Sequence, residues 1–206
     1  MKYLLGTKIN MTQMFDAEGN VIPVTVLDAS PSIVTAVKTK EKHGYAAVQI
    51  GFGNRKSKNV NKAVLGHVGD KGPFQVLKEF RFEGEMPNVG DAITLETFKE
   101  GDMAAVSGIS KGKGFQGVVK RHGFKGGPRS HGQKHSEREP GSIGGAGRDG
   151  GRVAKGKRMA GRMGGDRITV KNLKIVSIDT ENNQIMVKGA IPGRRGTLVE
   201  IRSVKA

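Results

Sequence analysis

A basic, glycine-rich window in the second half of the chain most limits how the chain can fold. From Ser110 to Arg167 it holds 17 glycines and 15 lysines and arginines, but only four acidic and 11 apolar residues. Ordering the backbone costs roughly 1–2 kcal/mol per residue, and burying an apolar side chain returns about 1.5–3 kcal/mol. Eleven apolar side chains are too few for 58 residues. We therefore predict that the window does not fold alone and becomes ordered on a partner.

The charge of the chain indicates what that partner is. The 206 residues carry 35 lysines and arginines against 19 acids, a net charge of +16, and most of the excess lies in the window. A polyanion is the expected partner, either nucleic acid or an anionic membrane. The apolar runs are only strand-sized, and the N-terminal one is too short for a signal peptide, so we expect no membrane contact and a cytoplasmic protein. The absence of cysteine excludes disulfides and thiolate zinc sites.

The sequence on both sides of the window is typical of short β-strands. Runs rich in β-branched residues alternate with turn residues, and no long helical pattern interrupts them. Because closure leaves no unpaired strand edges, we predict a mainly β fold: a closed β-barrel with a long, basic, Gly-rich extension inserted between its strands. The predicted strands are 21–27, 32–37, 45–50, 92–95, 103–106, 168–178, 184–188 and 197–204, with turns at 16–20, 179–183 and 192–193.

The expected domain boundaries follow the change in composition. Residues 1–109 and 167–206 are predicted to form the barrel body, and residues 110–166 the extension. Residues 54–90 are predicted to be irregular and ill-defined, with a helical turn at 60–65 and a strand around Phe80 and Phe82. The strands at 92–95 and 103–106 are expected to pair immediately before the extension.

Gly112, Gly114 and Gly117 match the GxGxxG pattern of dinucleotide-binding loops and of kinase glycine loops. A dinucleotide site needs a helix after the third glycine, with its N-terminus facing the pyrophosphate. Only about one turn of helix fits before Gly123. We therefore predict no cofactor and no small-molecule substrate. An RNA-modifying enzyme that uses this loop remains an alternative, as does a free RNA chaperone with a basic arm.

Two other groups of side chains in the window have more than one interpretation. His131 and His135, with Glu137 nearby, could be imagined as metal ligands, but neighbouring cations and the lack of a fourth ligand argue against a metal. The expected role of these histidines is to donate hydrogen bonds to phosphate or to pack against RNA sugar. Phe115 and Phe124 either stack on unpaired bases or pack against the protein itself, and the sequence favours neither.

Several motifs together closely resemble the family of the universal third protein of the large ribosomal subunit, in its bacterial form. The resemblance covers nearly the whole chain. It rests on LGTK (5–8), MTQMF (11–15), AVQIGFG (47–53), SGISKGKGFQGVVKRHGF (107–124), PGSIG (140–144), KGKRMAG (155–161) and VKGAIPG (187–193).

The resemblance implies a non-enzymatic ribosomal protein. Its implied partners are large-subunit ribosomal RNA and neighbouring large-subunit proteins, with the extension directed toward the peptidyl-transferase centre and a role in early subunit assembly. The tip departs from the family pattern at 148–153, and it lacks the glutamine that many bacterial relatives methylate. The residues expected to bind ribosomal RNA are Lys111, Lys113, Phe115, Lys120, Arg121, His122, Lys125, Arg129, His131, Lys134, His135, Arg138, Arg148, Arg152, Lys155, Lys157, Arg158 and Arg162.

Overall fold

The computed structural model describes residues 2–82, 86–145, 147 and 150–204. The chain divides into two compact units. Met1–Ile109 together with Arg167–Ala206 form the first, called here the body, and Ser110–Asp166 form the extension.

Strands dominate the described residues. They are β1 (Tyr3–Phe15), β2 (Val21–Asp28), β3 (Ser32–Lys38), β4 (Ala47–Asn54), β5 (Phe74–Arg81), β6 (Ala92–Ile93), β7 (Met103–Ile109), β8 (Phe115–Gln116), β9 (Gly161–Arg162), β10 (Arg167–Asp179), β11 (Gln184–Lys188) and β12 (Leu198–Ser203). The α-helices are short: α1 (Lys40–His43), α2 (Lys62–Val68) and α3 (Val118–His122). The prediction of a mainly β protein is confirmed.

Six body strands form a sheet whose pairing order closes on itself, called here the closed sheet. The order is β1-β12-β7-β10-β11-β2, and β2 pairs again with β1. Every pair is antiparallel. Its core includes Leu4, Leu27, Ile175, Ile185 and Ile201, which are all fully buried. Each strand thus has two neighbours, as the sequence argument from edge closure requires.

The extension is inserted between two paired strands of this sheet. Ile109 ends β7, Arg167 begins β10, and the two residues are register partners. The 57 residues of the extension lie between these two positions in the sequence. The pairing of β7 with β10 is therefore maintained up to the point of insertion.

A second, four-stranded sheet corrects the expectation of a single barrel. β3 and β4, expected to belong to the barrel, pair with each other and lie in a sheet of order β5-β4-β3-β6. Val34, Ile50, Phe52 and Phe80 of this sheet share a buried cluster with Leu5 of β1. Strand patterns identify strands but not their partners, because pairing is set by contacts distant in sequence.

Residues 54–90, expected to be irregular, contain regular elements. The helical turn expected at 60–65 is the start of α2, which begins after Asn61, and the Asn61 side chain accepts a hydrogen bond from the Ala63 amide (3.0 Å). The strand expected around Phe80 and Phe82 is β5, which begins earlier, at Phe74, and ends before Phe82. β5 pairs along its length with β4.

Two further expectations about strands were wrong or incomplete. β1, a strand of 13 residues, was not predicted, because polar residues interrupt its apolar pattern. The segments at 92–95 and 103–106 do not pair with each other: β6 pairs with β3, whereas β7 pairs with β10 and β12. The turn predicted at 16–20 is confirmed, with the Asp16 amide donating to the Asn20 carbonyl oxygen (3.0 Å).

Among the described residues, no helix has the length and apolar character needed to cross a membrane.

Candidate nucleic-acid interface

A short antiparallel ladder joins the two ends of the extension. β8 and β9 form part of it. We call residues 110–124 and 159–166 the base of the extension, and residues 125–158 the distal segment. Three further backbone hydrogen bonds, each 2.9 Å, extend the ladder: the amides of Ser110, Lys113 and Met163 donate to the carbonyl oxygens of Asp166, Met163 and Gly114, respectively. The two segments of the base are therefore backbone partners of each other.

Glycines allow the two chain segments to approach closely in the extension. Gly164 has φ +76°, and a Cβ at this position would lie 2.2 Å from the Lys111 carbonyl oxygen. Gly126 is similar, with φ +75° and a Cβ position 2.0 Å from the Glu137 carbonyl oxygen. Only glycine fits both the backbone conformation and the space at these positions. Sequence reasoning noted the many glycines but could not identify these two.

The short helix α3 presents its cations at its C-terminal end. Its first residue, Val118, is buried, and the helix ends at Gly123 with φ +72°. Lys120, Arg121 and His122 form its last turn, where positive charge interacts favourably with the helix dipole.

The side chains of Arg121 and His122 also contact the second segment of the base, residues 159–166. The Arg121 guanidinium donates a hydrogen bond from Nη1 to the Met159 carbonyl oxygen (2.7 Å), and His122 Nε2 lies 3.0 Å from the same oxygen. Both side chains are half-buried. A guanidinium has five donor hydrogens, so Arg121 retains donors for a further acceptor.

The distal segment has no apolar core among its described residues. None of its described side chains is buried, and its two large apolar residues, Ile143 and Val153, are 39% and 44% exposed. The segment carries nine lysines and arginines against three acids. Burial of apolar surface, the main stabilising contribution in folding, is therefore missing here.

The structure places most of the predicted site residues on the surface. Fifteen of the eighteen are exposed, Arg121 and His122 are half-buried, and Arg148 lies outside the described residues. One of the exposed cations is paired: Arg129 Nε donates to Glu137 Oε1 at 3.0 Å, and the Arg129 side chain is 86% exposed. This surface pair is worth little, so a phosphate can compete for Arg129.

The two aromatic candidates differ in their surroundings. Phe115 is 77% exposed. Phe124 is half-buried, and its ring centroid lies 6.0 Å from that of His122. Phe115 is thus free to stack on a base, whereas Phe124 contacts the protein itself.

A second group of cations, missed by the sequence analysis, lies on the body. Residues 54–62 carry four exposed cations and no acid, and none of these cations forms an ion pair with a described carboxylate. The signal was present in the sequence, since four basic residues within nine positions without an acid is a recognisable charge run. These residues are Arg55, Lys56, Lys58 and Lys62.

Comparison with known proteins agrees with this geometry. A family model described as "Ribosomal protein L3" matches residues 70–184. The chain belongs to the ribosomal protein L3 family. It is 48% identical over 205 residues to the large ribosomal subunit protein uL3 of Finegoldia magna. This match covers 98% of this chain and 97% of the relative. The uL3 proteins of Mycolicibacterium vanbaalenii and Mycolicibacterium smegmatis are 51% and 50% identical over 208 residues, covering 98% of this chain and 95% of each relative.

Membership of the ribosomal protein L3 family confirms the resemblance found in the sequence. Neither the family description nor these relatives' names denote an enzyme. The GxGxxG stretch has a structural role in this chain, because the Gly114 carbonyl oxygen accepts a hydrogen bond from the Met163 amide in the base ladder. The following helix, α3, has only five residues, too few for the dinucleotide-binding arrangement.

No group of three or more His, Asp or Glu side chains in the described part of the chain is arranged to hold a metal ion. His131, with φ +60°, and His135 are both exposed.

We expect Gly164→Ala to open the base ladder, because the added methyl group meets the Lys111 carbonyl oxygen. The measurement is hydrogen exchange at the Lys113 and Met163 amides in the full chain, which should become faster. Gly156→Ala is the matched control: Gly156 also has positive φ, at +79°, but a Cβ there meets no atom within 4 Å. Equal exchange rates in the two variants would show that the close approach does not maintain the ladder.

Proposed function

We propose that this chain is a structural constituent of the large ribosomal subunit that binds ribosomal RNA through its extension. Its family and the names of its relatives support the ribosomal assignment. The observation that carries the RNA-binding role is the distal segment, which combines exposed cations with no buried apolar side chain among its described residues. Such a segment gains stability from a polyanion rather than from its own interior.

In this proposal the extension acts as a clamp between RNA helices. Its lysines and arginines neutralise phosphates that would otherwise repel one another, and backbone amides of its glycines approach the phosphates closely. The exposed Phe115 stacks on an unpaired base. Recognition depends on the shape of the folded RNA, so base-specific side chains are not required.

The body has a different part in the proposal. Its closed sheet is a β-barrel in which Ile109 and Arg167, the body residues that flank the extension in the sequence, are paired. The barrel rests on the surface of the subunit, with the cations of residues 54–62 as a second RNA contact. We extend the proposal to a cytoplasmic, ribosome-bound protein with neighbouring large-subunit proteins as partners. It carries out no chemistry, supports early assembly, and directs its extension toward the peptidyl-transferase centre.

The direct test is sedimentation of ribosomal particles from cells that express a tagged full chain. We expect the chain to remain with the large subunit through a high-salt gradient, because its contacts lie within folded RNA. A free RNA chaperone would leave the particles and appear at the top of the gradient. An RNA-modifying enzyme would also be released, and would bind a nucleotide or methyl donor in calorimetry.

The dependence of RNA affinity on salt tests the phosphate contacts. With about ten cations on phosphate, the slope of log affinity against log salt should be on the order of −7 to −9 for a large-subunit RNA transcript. Replacing Lys155 and Lys157 with Gln should make the slope shallower by about 1.4–1.8. The control replaces Lys40 and Lys42, two exposed lysines of α1, with Gln and should leave the slope unchanged. A wild-type slope near −2 would contradict the proposal.

A further inference from the structure

Part of the β1–β2 hairpin lacks a third strand. β12 pairs with β1 only over Tyr3–Thr7, and β11 pairs with β2 only over Val24–Asp28. Residues 10–15 of β1 therefore have β2 as their only strand partner in the described chain, and residues 21–23 of β2 have only β1. We call these two stretches the ribbon. Two-stranded ribbons are marginally stable in water unless something covers one face.

One face of the ribbon exposes an apolar patch at its turn end. Side chains alternate along a strand, and register partners share a face, so Phe15 lies on the same side as Val21 and Pro23, with the polar Gln13 between Phe15 and Met11. Phe15 and Val21 are direct cross-strand partners and are 65% and 54% exposed, the highest values among the large apolar side chains of the described body. Met11 is 48% exposed. Phe15, Val21 and Pro23 are adjacent on this face, and a contiguous exposed apolar patch of this kind marks an interaction site.

The ribbon is also the part of this basic chain from which cations are missing. Residues 9–37 contain no lysine or arginine, although the chain has 35 of them in 206 residues. The turn between the strands carries two acids, Asp16 and Glu18, and neither forms an ion pair with a described lysine or arginine.

The acidic turn is ordered and charged. Asp16 Oδ1 accepts hydrogen bonds from the backbone amides of Asn20 (2.8 Å) and Glu18 (3.0 Å). The pKa of Asp16 is lowered, chiefly by the backbone hydrogen bond from Asn20; desolvation opposes this, and the Asn20 side chain, the Glu18 amide and the charge of Lys188 lower the pKa further. The carboxylate is therefore ionised at neutral pH and places a negative charge at the turn end of the ribbon.

We propose that the apolar face of the ribbon docks a protein segment that has an apolar centre and lysines or arginines at its border. This inference rests on the proposed function, in which the segment belongs to a neighbouring protein of the large subunit. The apolar face supplies the buried contact, and the acidic turn supplies charge complementarity with a basic partner. RNA then contacts the extension and residues 54–62, whereas protein contacts the ribbon.

The same charges argue against the other possible occupants. Residues 9–37 offer RNA phosphates no cation, and the two carboxylates of the turn outnumber Lys188, the neighbouring charge that acts on Asp16, so the arrangement is repulsive. A second copy of this chain, packed through the same patch on both molecules, would bring two acidic turns into one interface. A basic protein partner avoids both repulsions.

Photocrosslinking within assembled large subunits tests the proposal. The full chain carries benzoylphenylalanine in place of Phe15, subunits are purified and irradiated, and products are digested separately with nuclease and protease. We expect a nuclease-resistant crosslink to a different protein, at a peptide that contains Lys or Arg. A crosslink to RNA, a crosslink to a second copy, or no crosslink overturns the proposal.

The same replacement at Phe115 is the matched control, since that aromatic side chain is also exposed, lies in the extension and should crosslink to RNA. Absence of the tagged chain from the subunit would defeat the proposed function itself. A chain that is incorporated but gives no protein crosslink at position 15 defeats only the inference about the ribbon.

A charge reversal tests the basic border separately. Glu18→Lys should lower the crosslinking yield from position 15 by about threefold, because it places a cation against the partner's cations. Glu41→Lys, the same change at an exposed residue of α1, should leave the yield unchanged. An unchanged yield with Glu18→Lys overturns the assignment of a basic partner.

Discussion

The distal segment carries many cations that repel one another, and it has no apolar core to oppose that repulsion. The proposed function depends on this imbalance. In the distal segment nine basic residues face three acids, and no described apolar side chain is buried. Burial cannot offset the entropy lost on ordering this segment. A surrounding polyanion removes the repulsion and supplies the missing contacts at once. In the proposed function, RNA takes the place that a hydrophobic core has in the body, and the segment acquires its shape in the complex.

The rest of the structure prepares the chain for that role. The closed sheet is stabilised by its own core, and the base of the extension has backbone hydrogen bonds between its own two segments. Charge also differs between parts of the surface: the extension and residues 54–62 are cationic, whereas residues 9–37 contain no lysine or arginine and expose an apolar patch on the ribbon. Under the two proposals, this difference separates the RNA contacts from the protein contacts.

Local features were predictable from the sequence, and long-range ones were not. Strands β2, β3, β10 and β11 follow from β-branched runs between turn residues, and the cationic site residues follow from residue type alone. The partners of β3 and β4, and the pairing of β1 with β12 near the other end of the chain, depend on contacts that no local pattern encodes. Likewise, the sequence shows seventeen glycines between Ser110 and Arg167, but only the folded structure shows that a Cβ at Gly126 or Gly164 would collide with opposing backbone.

Limited digestion with trypsin tests the central claim most directly, because the distal segment offers the protease many lysines and arginines. The full chain is digested alone and in complex with large-subunit RNA, and the cut sites are mapped by mass spectrometry. The account predicts rapid cleavage between Lys125 and Arg158 in the free chain while the closed sheet stays intact, and protection of the same bonds in the complex. A distal segment that resists trypsin as well as the body does, with no RNA present, would contradict it.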